Sequence, residues 1–213
     1  MNIIIHRGTH QIGGSAIEIS TASTRIILDF GNELSLDEKY IPINLDIDGV
    51  TKGLPDCDGI VISHYHMDHL GQLTSALPAI PLYMGELSKE IALIGAEYQD
   101  RCLYLRLLGA NTFRGGDAFS IGDIRIRPLV IDHSAADSYM FVIEAEGKRV
   151  LYTGDFRMHG LRHHILDQLV NTYIGEVDVL ITEGTSFSRD ADKYISEAAV
   201  LDDISSYIQD GKY

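Results

Sequence analysis

The sequence predicts an α+β protein built from two stacked sheets with helices on their outer faces, and three observations predict it. Short β-branched runs punctuated by turn residues occur near the N-terminus and again after residue 117, as antiparallel meanders do. Helix-period segments follow each group of strands, and elements in that order pack as layers around a shared core. Between the groups, the apolar run Gly59-Ile60-Val61-Ile62-Ser63 reads as a buried strand that ends directly in His64-Tyr65-His66-Met67-Asp68-His69, a cluster of polar residues that packing does not explain.

The elements are predicted in order as follows. Ile3-Ile4-Ile5, Ala16-Ile17-Glu18-Ile19 and Arg25-Ile26-Ile27-Leu28 are strands, separated by Gly13-Gly14 and by Thr21-Ala22-Ser23. Gly13-Gly14-Ser15 lacks the Lys and the spacing of a P-loop, so a turn is the better reading than a phosphate cradle. Residues 31–56 are polar, with Pro42, Gly49, Gly53 and Pro55, and read as a long loop of the kind that is usually functional. A helix is expected over 71–77, a strand over 81–84, and helices over 86–95 and 97–108, the last stopped by Gly109. The second meander is expected over 117–121, 124–128, 139–144 and 149–152, with turns at Gly122-Asp123 and Glu146-Gly147-Lys148. A further strand over 177–182 and an amphipathic helix over 192–209 complete the pattern.

Composition sets outer bounds. At 213 residues the chain can bury one substantial core, and 45% hydrophobic with 23% charged residues is ordinary for a globular domain. The formal charge of −14 argues against gripping nucleic acid through phosphate neutralisation alone, which needs clustered Lys and Arg. Two divalent ions would offset that balance locally by about +4, within the roughly 8 Å over which a bound phosphate senses charge. Cys57 and Cys102 stand apart without CxxC spacing and are expected as buried free thiols in a reducing compartment. There is no apolar run of about 18 residues and no basic stretch ahead of the N-terminal apolar residues, so a cytoplasmic location away from membranes is expected.

The chemistry lies in the histidine run. Residues i and i+2 at a strand end point the same way, so His64 and His66 can reach one cation, while Asp68 and His69, displaced as the chain turns, face a neighbouring position. Imidazole and carboxylate without thiolate suit Zn(II), with Mn(II) or Fe(II) as alternatives. Two residues at later strand ends complete the candidate set. His133 follows Pro128-Leu129-Val130-Ile131-Asp132, and Asp155 follows Val150-Leu151-Tyr152-Thr153-Gly154, where glycine allows close backbone approach.

With these residues in place, from Leu28-Asp29-Phe30-Gly31 through HxHxDH to His133 and Gly154-Asp155, the chain resembles the metallo-β-lactamase superfamily. The resemblance implies an αββα sandwich, incomplete at its C-terminus, with residues 1–185 as the N-terminal part of that domain and 186–213 as the start of an inserted domain or a C-terminal helix. It implies that His64, His66 and His133 hold one ion, that Asp68 and His69 hold the second, that Asp155 bridges both, and that Asp29 orients the ligand loop from behind. His133-Ser134-Ala135-Ala136-Asp137-Ser138 and Gly154-Asp155-Phe156-Arg157 are similar to ribonuclease J and its relatives. Glu183-Gly184-Thr185 resembles the acidic first motif of the β-CASP subgroup, which processes nucleic acids. One departure is that no His follows His164, where the superfamily uses a late histidine in its second metal site; His159, His163 and His164 are expected on a helix surface or a cleft rim.

The function implied is a phosphodiesterase or ribonuclease of the β-CASP type acting on RNA or single-stranded nucleic acid, with two divalent ions, Zn or Mn, supplying hydroxide. A small-molecule hydrolase acting on a thioester, lactone or β-lactam is the alternative. Asp68 is the expected general base, and Glu183 the group that positions a proton donor. Ser134 and Ser138 are candidates either for hydrogen bonds to a substrate phosphate or for capping the turn after His133. Oligomeric association is left open by the sequence.

Overall fold

The computed structural model describes residues 1–35, 43–186 and 195–209, and its layers follow from the alternation of side chains along each strand. Strands β1 (Asn2–Arg7), β2 (Ala16–Ser20) and β3 (Arg25–Leu28) form the predicted antiparallel meander. Strands β4 (Gly59–Val61), β5 (Leu82–Gly85) and β6 (Asn111–Phe113) then add in parallel beside β3, giving a six-stranded sheet ordered β1-β2-β3-β4-β5-β6. The second sheet has five strands: β7 (Phe119–Ile121), β8 (Ile124–Val130), β9 (Tyr139–Ala145), β10 (Lys148–Tyr152) and β11 (Val179–Ile181). Their order is β11-β10-β9-β8-β7, antiparallel except for the parallel pair β10 and β11.

Ile26 and Leu28 point between the sheets, where they meet Phe141, Ile143 and Val150. Ile27, one residue out of step, faces the other way and packs with Ile60, Ile62 and Met84 beneath the helices of the first sheet. β9 repeats the logic, with Tyr139, Phe141 and Ile143 facing inward and Met140 and Val142 outward. Each fully buried large side chain contributes about 1.5–3 kcal/mol, so a one-residue slip of such a strand would exchange its two faces at considerable cost.

Helices α1 (Met67–Leu70), α2 (Glu86–Gln99) and α3 (Arg101–Leu108) cover the first sheet, the latter two through Ala96, Leu103 and Leu107. Helix α4 (His164–Leu169), continued by a π turn over Val170–Ile174, covers the second through Leu169 and Ile174. Helix α5 (Glu197–Gln209) buries none of its described side chains. The expected helix over 71–77 is instead the single turn of α1 followed by turns. The break between α2 and α3 falls at Asp100 rather than near Gly95, because the Asp100 carboxylate accepts hydrogen bonds from the amides of Cys102 and Leu103 and so caps α3.

Two other expectations need correction or trimming. β6 carries no strand signal of its own, since Asn-Thr-Phe lacks apolar alternation and becomes a strand only by pairing with β5. Both cysteines are free, but Cys102 is exposed and Cys57 only partly buried, with its thiol pushed up to about 11 by burial. Within the long loop, residues 36–42 lie outside the described residues, as do 192–194 of the predicted last helix. Among the described residues no helix is long and apolar enough to cross a membrane.

Candidate metal centre

Three candidate ligands sit just beyond the C-terminal end of a strand, His64 three residues after β4, His133 three after β8 and Asp155 three after β10, while His66 occupies the N-cap position of α1 and Asp68 and His69 lie within it. Both sheets therefore deliver side chains to one rim. The Nδ1 atom of His66 lies 3.2 Å from Nε2 of His64 and 3.3 Å from Nε2 of His133. Three ring nitrogens facing one another cannot all be satisfied by sharing protons. The spacing instead matches the edge of a tetrahedron around Zn, about 3.3 Å for Zn–N bonds of about 2.0–2.1 Å. The residues present fit a metal ion on this ground.

A second group shares His64 and adds His69 and Asp155. Oδ1 of Asp155 is 3.3 Å from Nε2 of His69, while its Oδ2 is 3.9 Å from Nε2 of His133, so the carboxylate spans the two groups. Asp68 Oδ2 lies 3.6 Å from Nε2 of His69. Gly154, at φ +54°, permits this approach: a Cβ there would come within 3.0 Å of the Tyr139 carbonyl.

Asp29 stands behind the centre, fully buried, immediately after β3. Its carboxylate accepts hydrogen bonds from the amide and hydroxyl of Ser63 at 2.7 and 2.8 Å and from the Tyr152 hydroxyl at 2.5 Å, and it lies 2.7 Å from Nδ1 of His69. Ser63 Oγ, having given its proton to Asp29, can accept from Nδ1 of His64 at 3.0 Å. The same carboxylate thus engages the Nδ1 atom of His69 directly and that of His64 through Ser63, leaving Nε2 of each ring turned to the centre.

The electrostatics follow the same division. Burial lowers the pKa of His64, and its neighbouring imidazoles lower it further. His133 falls to about 4, mainly through burial, so both rings are in the neutral, ligating form at neutral pH. Burial also works against charge on His69, but the carboxylates of Asp29 and Asp155 outweigh it and raise its pKa well above the usual value. Burial raises Asp68. Asp155 is lowered, because His69, His133 and His66 outweigh its burial.

A cleft of about 1010 Å³ opens over the centre, walled by residues 8–13 on one side and by Glu183 to Ser186 on the other. Glu183 is held there by the Phe156 amide, 2.8 Å from its Oε1, and burial raises its pKa. Ser134 is exposed and lines the cleft. Ser138 is buried and donates to the Ala135 carbonyl at 2.9 Å, the turn-stabilising of its two roles. His159 lines the cleft, His163 contacts the Gly160 carbonyl, and His164 opens α4. Gly13-Gly14-Ser15 is a loop segment in which Gly13 forms a β-bridge with Glu33 and the Gly14 and Ser15 amides donate to the Asp68 carbonyl at 3.1 and 3.2 Å, which directs them at the protein rather than at a phosphate. Ser63, Tyr152 and Tyr65 do not stand out in the sequence as site residues; the only signal for the first two is their place at strand ends beside ligand residues.

Residues 25–201 match the beta-lactamase superfamily domain. The chain is 27% identical to an RNase J-like protein of Methanocaldococcus jannaschii over 97% of its own length and 48% of that protein's. It is 26% identical to ribonuclease J of Helicobacter pylori, over 71% of this chain and 22% of the relative, so it spans about half or less of these curated relatives. A crystal structure of an Enterococcus faecalis V583 protein of unknown function shares the fold at a TM-score of 0.81 and 22% identity, covering 97% of this chain and 57% of that one.

Proposed function

Because this chain belongs to the beta-lactamase superfamily, we propose that it is a metal-dependent phosphodiesterase of the β-CASP type that cleaves RNA. The observation that carries the reading is the convergence of His64, His66 and His133, from two sheets, on one point beside Asp155. Relatives named as ribonucleases, similar over most of this chain, support RNA as the substrate class.

In this reading His64, His66 and His133 would hold one divalent ion and His69, Asp68 and Asp155 would serve a second; zinc suits the donor set and manganese is the alternative. Such ions supply positive charge to a phosphodiester and lower the pKa of water toward ~7. The chain's own groups do the rest. Asp68, raised by burial, accepts a proton from the attacking water, and Glu183, fixed by the Phe156 amide at the opposite wall, orients a donor for the leaving group. Ser134 offers a hydroxyl to the substrate backbone from the cleft lining. Residues 1–185 act as the metallo-β-lactamase-like domain and 186–213 as the start of an inserted domain or a C-terminal helix, a division supported by α5, which buries no described side chain.

The test is cleavage of end-labelled single-stranded RNA in the presence of Zn(II) or Mn(II). His66→Ala, which removes one of three converging nitrogens, is expected to reduce the rate at least ~10²-fold. Cleavage that persists at full rate in a chelated sample, or in His66→Ala, overturns the proposal.

A further inference from the structure

Ligands from two sheets meet within hydrogen-bonding distance of one another, and the segment that must be held for this to happen is the β8–β9 connection carrying His133. It is tied across to the first sheet at two consecutive residues. The Ala136 amide donates to the Tyr65 hydroxyl at 3.2 Å. Tyr65 lies between His64 and His66, and its ring packs against the helix-side core of the first sheet. The next residue, Asp137, sits at φ +62° and its Oδ2 accepts from the Ser88 amide at 2.9 Å.

Ser88 is the third residue of α2, whose cap position is Gly85, without a side chain. Asp137 therefore supplies, from the opposite sheet, the oxygen that a Ser or Asp cap would otherwise provide. The Tyr139 hydroxyl donates to its other oxygen. A Cβ at Gly85 would fall on that carboxylate, so the missing cap side chain and the borrowed one belong to the same arrangement.

We propose that Tyr65 and Asp137 form a clamp between the sheets that sets His133 against His64 and His66 in advance of metal binding. The inference rests on the metal-centre reading above and makes both residues positioning residues: neither lines the cleft, and the Tyr65 ring meets the edge of His66. Neither hydrogen bond touches a ligand side chain; each fixes the backbone on which the third imidazole is mounted. A site of this kind functions only when its members are held within about 0.5 Å of their working positions.

The experiment is Co(II) titration of the protein, followed by visible absorption, which reads affinity and coordination together. Tyr65→Phe, a loss of one hydroxyl, is expected to weaken binding about tenfold and to alter the band intensities. The metal-free thermal midpoint should stay within about 3 °C of the parent. Asp137→Ala is expected to weaken binding at least as much. Asp137→Asn, which keeps an oxygen for Ser88 and tolerates positive φ, should restore it to within about twofold. Parent-like affinity and spectra in both Tyr65→Phe and Asp137→Ala overturn the clamp while leaving the metal centre standing. If Asp137→Ala does not fold, parent-like behaviour of Tyr65→Phe is sufficient to overturn it. A parent protein that takes up no Co(II) overturns the metal-centre reading and the clamp with it.

Discussion

Asp29, fully buried at φ +55°, gathers Ser63, Tyr152 and His69 around one carboxylate, so a single side chain links the end of β3 to ligands on the β4 loop and to the end of β10. Removing it strands four buried donors, from three residues, each worth about 1–3 kcal/mol when left unpaired. Asp29→Ala is expected to destabilise the metal-free protein by about 3 kcal/mol or more and to weaken zinc binding about 10- to 100-fold. Urea melts with and without zinc measure both effects; an unchanged zinc-dependent gain in stability would contradict the role assigned to Asp29. The residues that converge on the centre stand out in the sequence because they are His and Asp clustered at or just after strand ends. Tyr152 is not, since it meets Asp29 across 123 positions of sequence and nothing local to a tyrosine on a strand reports that contact. Asp137 is likewise visible only as part of a short motif, its cap on α2 being a contact across 49 positions.

At the level of elements, the one-turn helix α1 is shaped more by what presses on it than by its own sequence. Gly31 packs directly on the Asp68 backbone, and a Cβ there would fall on the Asp68 carbonyl. The Phe30 amide donates to the His69 carbonyl and the Asn32 amide to that of Met67, so the segment after β3 lies along the ligand turn. Gly53 makes the opposite case: it has φ +76°, but a methyl group added there would meet nothing within 4 Å. Gly31→Ala is expected to cost more than about 3 kcal/mol and to abolish metal binding, whereas Gly53→Ala should cost only the backbone strain of about 1–2 kcal/mol. Thermal melts of the two variants decide this, and equal losses would show that conformation rather than space governs both. The helix expected over 71–77 gives way to turns because its amides are drawn to partners outside it, Gln72 donating to the Phe30 carbonyl and Leu77 to that of Val50, contacts that periodicity does not reveal.

For the molecule as a whole, the layered α+β architecture is readable because strand alternation and helix periodicity are local signals that happen to agree with the global packing. The parallel half of the first sheet is less so, since β6 owes its strand character to its partner. The ligands span the seam between the two sheets, so a bound ion joins layers that otherwise meet chiefly through apolar contacts. At a free metal concentration of about 100 times Kd this linkage is worth about 2.7 kcal/mol per site. Chelation is therefore expected to lower the thermal midpoint of the metal-loaded protein by roughly 5–10 °C per site and to lower that of His66→Ala, which keeps the His64, His69 and Asp155 group, by less. A midpoint insensitive to chelator would show that the seam holds without the ion.

The carbonyl of Asp68 is anchored by the Gly14 and Ser15 amides, at the foot of the loop that walls one side of the cleft. Wall and helix turn consequently form one mechanical piece. A displacement of that wall carries the Asp68 backbone with it, so the rim of the cleft and the floor beneath keep their spacing.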